Sequence, residues 1–307
     1  MKVLSIGECM AELSPQDDAG AYRLAFAGDT FNTAWYLRQL NPAIAVSYFT
    51  GLGDDAISAQ LRGVITDAGI NDQYGVVVPD RTVGLYLISL EDGERSFSYW
   101  RGQSAARKLA SEKAALAQAI DDHDLIYFSG ITLAILDADG RGALLAALQT
   151  GRSRGKTIVF DPNLRPRLWE DTQTMVQVIM QGAAVCDMVL PSFEDEATWF
   201  ADADPKATAQ RYLDAGAHSV VVKNGADTIY YCDPRGDGHV SVPPVDHVVD
   251  TTAAGDSFNA AILSGLNDQI PLAQSITDAC KLSGAVVQAR GALVPVVHDA
   301  KPRQGAI

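Results

Sequence analysis

Short apolar runs alternate with segments of helical apolar spacing along most of the chain. Each run ends at a glycine or at polar residues, which is typical of buried strands. The runs predicted as such strands are 3–6, 44–49, 125–128, 157–160, 188–190, 220–222 and 229–232. Helical patterns, such as 56–68 and 141–150, separate several of them. We therefore expect an α/β fold with a mostly parallel central sheet and helices on both faces.

Two stretches depart from this alternation. Residues 9–26 alternate loosely between apolar and polar positions, and 75–101 carries three predicted strands at 76–78, 83–90 and 95–100. A hairpin over 91–94 is expected to join the last two. These strands predict a small, partly exposed sheet that could cover a ligand. The alternative is that its aromatic side chains merely pack a hairpin.

Polar clusters follow the predicted strands of the main sheet. The clusters are Gly7-Glu8, 161–165, 192–196, 223–225 and 250–256. Ligands of open parallel sheets bind beyond the carboxyl ends of the strands. These clusters therefore predict one site at that edge of the sheet.

The stretch 250–261, Asp-Thr-Thr-Ala-Ala-Gly-Asp-Ser-Phe-Asn-Ala-Ala, combines a turn of small residues with a helix start. The first N–H groups of a helix lack internal partners and favour anions, phosphate above all. Asp256 in the first turn could accept a proton beside such an anion. This combination suits phosphoryl transfer to an alcohol. The alternative is an ordinary helix with Thr251 or Thr252 as its N-cap.

Composition narrows the class of protein. The 307 residues are 47% hydrophobic, enough for a single domain over 1–307 with an inserted lid. The net charge of −14 makes nucleic acids and anionic membrane surfaces poor partners. The four cysteines form no Cys-x-x-Cys, so buried free thiols are expected rather than a zinc site or disulfides. Without a signal peptide or a long apolar run, we expect a soluble, cytoplasmic protein.

Residues 250–256 resemble the C-terminal signature of the PfkB, or ribokinase-like, sugar kinases, Asp-Thr-x-Gly/Ala-Ala-Gly-Asp. Ala253 stands where many members have glycine. Residues 27–32 are similar to the family's Gly-Gly-x-x-x-Asn helix start, with Ala27 in place of the first glycine, and Gly-Asp-Asp follows at 53–55. The resemblance extends from Gly7 to about Gly291. It implies a ribokinase-like fold with lid strands at about 9–26 and 75–101, and ATP-dependent phosphorylation of a sugar.

Three further segments, 84–86, 99–106 and 161–165, are similar to those of the 2-keto-3-deoxygluconate kinases within this family. That resemblance implies transfer to the C6 hydroxyl of a sugar acid. A guanidinium suits a planar carboxylate, and a neutral sugar would not need Arg101. The implied substrate-binding residues are Gly28, Asp29, Asn32, Tyr86, Tyr99, Arg101, Ile131, Arg165 and Asp256.

The family resemblance also implies catalytic and nucleotide-binding roles. Asp256 would be the catalytic base, with an anion hole from the amides of Ala253, Ala254, Gly255 and Asp256. Helix residues near 280–284 would line the adenine. The implied ATP-binding residues are Asn163, Arg165, Ser192, Lys223, Gly225, Ala253, Ala254 and Gly255.

Magnesium is expected because it neutralises the phosphates of ATP during transfer. Family members commonly carry Asn-x-x-Glu for the metal's water shell, whereas this chain has Ser192-Phe-Glu-Asp195. Asp195 is the predicted metal residue, with Glu194 and Glu196 as alternatives. A solvated acidic helix start is the other interpretation. A requirement for a monovalent cation such as K⁺ stays open.

Several alternatives remain at this point. The chain could phosphorylate fructose, ribose or the galactonate-derived acid, or it could be a sugar sensor without catalysis. A nucleotide-binding dehydrogenase is excluded, because the first strand ends in Gly7-Glu8-Cys9 without a Gly-x-Gly-x-x-Gly turn. The edges of the lid sheet favour a homo-oligomer.

Overall fold

The central sheet of the protein has eight strands, in the order β14-β13-β12-β11-β10-β9-β1-β4. This arrangement comes from a computed structural model, which describes residues 1–295 except 17, 19, 92 and 93. Neighbours from β12 to β4 pair in parallel, and β13 and β14 add an antiparallel hairpin. The predicted mostly parallel sheet is confirmed. Its strands are β1 (Lys2–Ile6), β4 (Ala45–Phe49), β9 (Leu125–Ser129), β10 (Thr157–Asp161), β11 (Met188–Val189), β12 (Ser219–Val222), β13 (Ile229–Asp233) and β14 (Gly236–Val240).

Helices cover both faces of this sheet. Alternate residues of β1 point to opposite sides, so that Val3 joins one buried apolar cluster and Leu4 and Ile6 join the other. The helices are α1 (Asp29–Leu40), α2 (Ala56–Asp67), α3 (Lys113–Asp121), α4 (Gly130–Ala134), α5 (Ala138–Ser153), α6 (Thr172–Ala184), α7 (Phe193–Trp199), α8 (Pro205–Asp214), α9 (Ala254–Asn267) and α10 (Leu272–Val286). Residues of α1, α2, α9 and α10 lie in the first cluster, and residues of α3 to α6 and of α8 lie in the second.

A second sheet of four strands forms the lid, in the order β3-β2-β7-β8. Its strands are β2 (Met10–Pro15), β3 (Tyr22–Ala27), β7 (Leu85–Glu91) and β8 (Glu94–Trp100). The predicted pairing of the last two is confirmed, with Tyr86 opposite Tyr99. Residues 92 and 93 of the predicted hairpin turn lie outside the described residues.

The prediction that 76–78 belongs to the lid was wrong. Val76–Val77 (β6) pairs with Gly51–Leu52 (β5) in a separate two-stranded sheet. The Val76 amide donates to the Thr50 carbonyl at 2.8 Å, and the buried Val76 side chain joins an apolar cluster of the main core. An apolar run of this length carries no information about which sheet it joins.

Two smaller expectations concern helix starts and cysteines. The helix predicted from Asn32 begins at Asp29, because the extended Gly28 serves as its N-cap. Cys9, Cys186 and Cys280 are buried free thiols, as expected, whereas the free thiol of Cys232 is only partly buried. Within the described ranges, no helix has both the length and the apolar character needed to cross a bilayer.

Candidate active site

The start of α9 lies at the carboxyl-end edge of the main sheet, where the sequence predicts an anion pocket. Ala253 is its N-cap in a left-handed conformation, with φ of 61°, and no side chain caps the helix. The Thr252 hydroxyl instead donates to Asp250 at 2.7 Å, so neither threonine is the N-cap. The Ala254 amide donates to the Thr251 carbonyl at 3.2 Å, which removes it from the predicted anion hole.

The amides of Gly255 and Asp256 have no acceptor within the described part of the chain. They are the first-turn donors that a helix leaves available to an anion. The residues before Gly255 are alanines, so no large side chain covers these two N–H groups. The pocket therefore offers two adjacent main-chain donors at the positive end of α9.

The Asp256 carboxylate lies beside these amides and is held by α1. The Asn32 side-chain amide donates to Asp256 Oδ2 at 2.8 Å, and the Thr33 hydroxyl donates to the Asp256 carbonyl at 3.2 Å. Burial raises the pKa of Asp256 to about 7, and the charges of Asp29 and Asp161 act in the same direction. A carboxylate whose pKa lies near neutrality suits a general base.

A buried polar cluster flanks the other side of the pocket. Lys223 Nζ lies 3.3 Å from Asp161 Oδ1 and 3.2 Å from Asn259 Oδ1. The Asn259 amide donates to Asp161 Oδ2 at 2.8 Å and to the Tyr127 hydroxyl at 3.0 Å. A Cβ placed on Gly255 would lie 3.7 Å from Lys223 Nζ, so the ammonium sits against the anion pocket. The predicted nucleotide residue Lys223 is thus fixed beside the pocket.

Asn259 was not predicted as a site residue, and Asp161 was predicted only as part of the polar cluster 161–165. Asn259 is fully buried on a helix whose other buried positions are mostly small or apolar. An asparagine on such a face needs a polar partner, and that need is the signal that could have identified it.

A third group of polar residues lies near the Asp256 carboxylate and the Lys223 cluster, and we call it the floor of the site. It consists of Gly28, Asp29 and Asn163. Asp29 accepts from the Thr30 amide at 2.8 Å and from the Asn163 side chain at 2.9 Å, while burial raises its pKa. A Cβ on Gly28 would lie 2.1 Å from the Glu8 carbonyl oxygen, so only glycine fits there. Asn163, predicted to bind ATP, thereby connects strand β10 to the predicted sugar residue Asp29.

Three predicted lid residues occupy different environments. Tyr99 is 53% exposed, with its ring centroid 5.9 Å from that of the buried Tyr86. The Tyr86 hydroxyl donates to Glu12, and the Arg101 guanidinium forms an ion pair with Glu8. Glu8 was predicted only as part of the polar cluster Gly7-Glu8, and Glu12 was not predicted as a site residue. Of these three predicted residues, Tyr99 is the one that is largely exposed, whereas Tyr86 and Arg101 already contact carboxylates.

The remaining predicted residues lie on several separate segments of the chain. Ser192 forms a parallel bridge with Lys223, and Gly225 adopts a left-handed conformation with φ of 57° in an exposed turn. Arg165 is exposed, at φ of 43°. Ile131 is partly buried in α4. The helix near 280–284, predicted to line the adenine, is α10, where Cys280 and Leu282 face the core.

The acidic start of α7 contains the predicted metal residue. Burial raises the pKa of Asp195, while the Arg165 guanidinium opposes that shift. Glu196 is fully buried and accepts from Arg211 at 2.6 Å and from Tyr212 at 3.0 Å, which commits it to the core. Across the residues that the structure describes, no cluster of three or more His, Cys, Asp or Glu could hold a metal. Asp195 and the exposed Glu194 remain as single carboxylates.

Comparison with known proteins identifies the family to which the chain is similar. The profile of the pfkB family carbohydrate kinases matches residues 1–299. A 2-dehydro-3-deoxygluconokinase of Escherichia coli (strain K12) is 37% identical over 308 residues, covering 96% of this chain and 97% of that protein. One of the same name from Dickeya dadantii (strain 3937) is 38% identical over 305 residues, covering 95% and 96%.

A solved structure has the same fold. The crystal structure of a PfkB protein from Polaromonas sp. JS666 superposes with a TM-score of 0.82 at 26% identity, covering 94% of this chain and 96% of that one. The family profile spans both the sheet and the anion pocket, and the relatives match nearly the full length of the chain. The chain therefore belongs to the pfkB family of carbohydrate kinases.

Proposed function

We propose that the chain transfers the γ-phosphoryl group of ATP to the C6 hydroxyl of 2-keto-3-deoxygluconate, giving 2-keto-3-deoxy-6-phosphogluconate. One observation carries the proposal: the Asp256 carboxylate, held by Asn32, lies beside the free amides of Gly255 and Asp256. Phosphoryl transfer to an alcohol needs a base and an anion hole at one place. The relatives in E. coli and D. dadantii are named for this substrate, since 2-dehydro and 2-keto denote the same group.

In the proposed step, Asp256 accepts the proton of the C6 hydroxyl as the oxygen attacks the γ-phosphorus. The new bond joins this oxygen to phosphorus, and the bond from phosphorus to the bridging oxygen breaks to release ADP. With its pKa at about 7, Asp256 is ionised in much of the protein at neutral pH. A base is most effective when its pKa lies near the working pH, because it is then both ionised and basic enough to accept the proton.

Developing charge on the transferring group would be stabilised from two sides. The Gly255 and Asp256 amides donate from the helix start, and Lys223 Nζ approaches from the direction of Asp161. Donors that are fixed before the reaction need no reorganisation in the transition state. Asn259 keeps Lys223 in place by accepting from its ammonium at 3.2 Å.

Magnesium fits the nucleotide side of this site. Asp195 is a half-buried carboxylate whose charge interacts with those of Arg165, Asp161 and Lys223. Bound Mg²⁺ would neutralise phosphate charge, and Asp195 is the residue that would hold its water shell. The single carboxylate agrees with the usual mode for this metal, in which phosphates and waters supply the other ligands.

The sugar acid would bind between the floor and the lid. Arg101 and Arg165 supply guanidinium groups suited to a carboxylate, and Tyr99 supplies an exposed ring and a hydroxyl. Gly28 lets the start of α1 lie close to the Glu8 backbone, because no side chain fits between them. This arrangement would leave the C6 end of the substrate toward Asp256.

A neutral sugar is the second candidate substrate. Arg101 is already paired with Glu8, so this part of the lid carries little net charge. That observation favours a polyol such as fructose or ribose more than an unpaired arginine would. A sugar sensor without catalysis is the remaining alternative.

A substrate panel tests these candidates. ADP formation would be measured with 2-keto-3-deoxygluconate, its galactonate-derived epimer, fructose and ribose, and phosphorus NMR would locate the phosphate on the product. We expect the highest kcat/KM with a keto-deoxy acid and a phosphate on C6. Comparable efficiency on a neutral sugar would displace the proposal in favour of that sugar. Sugar binding by calorimetry without ADP formation would instead indicate a sensor.

We also propose that two copies of the chain associate through their lids. The two edge strands of the lid expose large apolar side chains, and Trp100 is 59% exposed. The others on these strands are Tyr22, Leu24, Phe97 and Tyr99. Such edges favour pairing with another sheet. Light scattering should give a dimer or a larger assembly that Trp100→Glu dissociates, and a monomeric wild type would contradict the proposal.

A further inference from the structure

A buried ion pair joins the main sheet to the lid. Glu8 follows β1, its side chain is 0% exposed, and it accepts from Arg101 Nη2. Arg101 follows lid strand β8, 93 positions later, and its side chain is 11% exposed. A buried charge is stable only when its partner and its hydrogen bonds are well placed. The pair therefore fixes where the guanidinium lies relative to the carboxyl-end edge of the sheet.

This junction also contains buried polar atoms that lack a partner. Among the described residues, the four such side-chain atoms are Glu8 Oε1, Thr50 Oγ1, Arg101 Nε and Ser104 Oγ. They belong to neighbouring segments: the Gly7 amide donates to the Phe49 carbonyl at 3.1 Å, and the Ser104 amide donates to the Arg101 carbonyl at 3.1 Å. Buried polar atoms in folded proteins are nearly always hydrogen-bonded. Their concentration at one junction indicates that a polar ligand group or water completes it.

Gly84 provides the space for this pair. A Cβ on Gly84 would lie 2.9 Å from Glu8 Oε1 and 3.2 Å from the Arg101 Cβ. The first distance is shorter than a Cβ tolerates, so a side chain at this position would displace the carboxylate. The backbone of Gly84 is itself fixed, because its carbonyl accepts from the Ala11 amide at 2.8 Å. The absence of a side chain at Gly84 therefore allows the start of the lid strand to pack directly against Glu8 and Arg101.

We propose that Glu8 is a positioning residue that orients the Arg101 guanidinium toward the substrate carboxylate. This inference rests on the proposed function, from which the role of Arg101 is taken. A buried carboxylate beside Arg101 reduces its net attraction for an acid. Its presence is therefore explained by geometry: Glu8 contacts the guanidinium at Nη2, on the edge where the buried Nε lies, and leaves the Nη1 end available for a planar acceptor. Recognition then depends on the direction of the N–H groups more than on charge.

Kinetics of the Glu8→Gln variant test this assignment. The variant keeps the shape of the side chain and removes its charge. We expect the KM for 2-keto-3-deoxygluconate to rise roughly tenfold or more, with the KM for ATP nearly unchanged. Gly84→Ala should change the same KM in the same direction, since it displaces Glu8. The control is Asp121→Asn, which removes an equal charge from an exposed ion pair with Arg154. It should leave both constants unchanged.

A double-variant cycle separates positioning from a general structural role. If Glu8 acts only through Arg101, the KM of Glu8→Gln/Arg101→Met should equal that of Arg101→Met alone. The double variant also removes both buried charges, which preserves folding better than a single removal. Additive effects would overturn the inference. A lower KM in Glu8→Gln would overturn it too, because it would mean that Glu8 only weakens the attraction of Arg101.

The same kinetic measurements distinguish a failure of the proposed function from a failure of the role proposed for Glu8. Wild-type protein without turnover of either keto-deoxy acid would contradict the proposed function. Wild-type turnover with an unchanged KM in Glu8→Gln would contradict only the role of Glu8.

Discussion

The side-chain amide of Asn32 donates to the carboxylate of Asp256 at 2.8 Å, across 224 positions of sequence. The two residues stand near the starts of α1 and α9, which pack together on one face of the sheet. The contact directs the carboxylate and stabilises its charged form. Without Asn32, burial and the neighbouring Asp29 would favour the protonated acid more strongly.

The first prediction concerns the pH dependence of turnover. Because Asp256 must be ionised to accept a proton, kcat/KM should fall about tenfold per pH unit below a pKa of about 7. Asn32→Leu should move this pKa upward, because it removes a donor to the carboxylate. Thr33→Val is the matched control, since Thr33 donates to the Asp256 main-chain carbonyl. An unshifted profile in Asn32→Leu would contradict the account of this contact.

The second prediction concerns stability. The pKa of Asp256 is raised from its ordinary value of 3.8 to about 7, so the folded protein retains a proton that the unfolded chain has lost. The associated stability is complete below the unfolded pKa and is lost as the pH rises through about 7. Asp256→Asn cannot ionise and avoids this loss. Its free energy of unfolding should exceed that of wild type by ~1–2 kcal/mol at about pH 8, since the carboxyl is partly exposed.

The gain in Asp256→Asn should shrink toward about pH 4, where the wild-type acid is protonated as well. Urea unfolding at both pH values measures it. If the variant were less stable than wild type at about pH 8, the folded protein would not be destabilised by the charged form of Asp256, which would contradict the raised pKa.

The third prediction concerns the left-handed backbone at Ala253, where φ is 61°. Glycine adopts this conformation without the steric cost that Ala incurs. Ala253→Gly should therefore raise the free energy of unfolding by roughly 0.5–1 kcal/mol and retain activity. Ala253→Val should lower both, because a β-branched side chain disfavours positive φ. Thermal unfolding measures the first effect, and equal melting temperatures for all three proteins would refute the prediction.

The fourth prediction concerns the buried pair of Lys223 and Asp161. Lys223→Met leaves the Asp161 charge without its partner and should cost roughly 3 kcal/mol of stability. Lys223→Met/Asp161→Asn should regain much of this loss, since both charges are then absent. Additive losses in a denaturant cycle would contradict a coupled pair. The KM for ATP should rise in both variants, because each lacks the ammonium beside the anion pocket.

The regular part of the fold was predictable from sequence. Apolar runs such as 125–128 read directly as β9, because strands of a parallel sheet are buried on both faces. The two-residue strand at Val76 was misassigned, because its partner at Gly51 is set by tertiary hydrogen bonds. The local sequence pattern does not predict such tertiary hydrogen bonds.

Site residues that belong to a local sequence motif could be predicted, whereas residues that join the site through contacts with distant segments could not. Asp256 and Gly255 stand in a motif whose chemistry is local to one helix start. Glu8 and Asn259 act through residues far along the chain, and neither has a distinctive neighbour pattern. Among the acids after Ser192, only the structure distinguishes Asp195 from Glu196, whose carboxylate is committed to Arg211.

The central claim is tested most directly by ATP turnover of Asp256→Asn with saturating 2-keto-3-deoxygluconate. The variant keeps the size of the side chain and its contact with Asn32 but cannot accept a proton. We predict that sugar-dependent ADP formation falls by about 10²–10⁴-fold, while calorimetry shows sugar binding close to that of wild type. Turnover within a fewfold of wild type would contradict the assignment of Asp256 as the base.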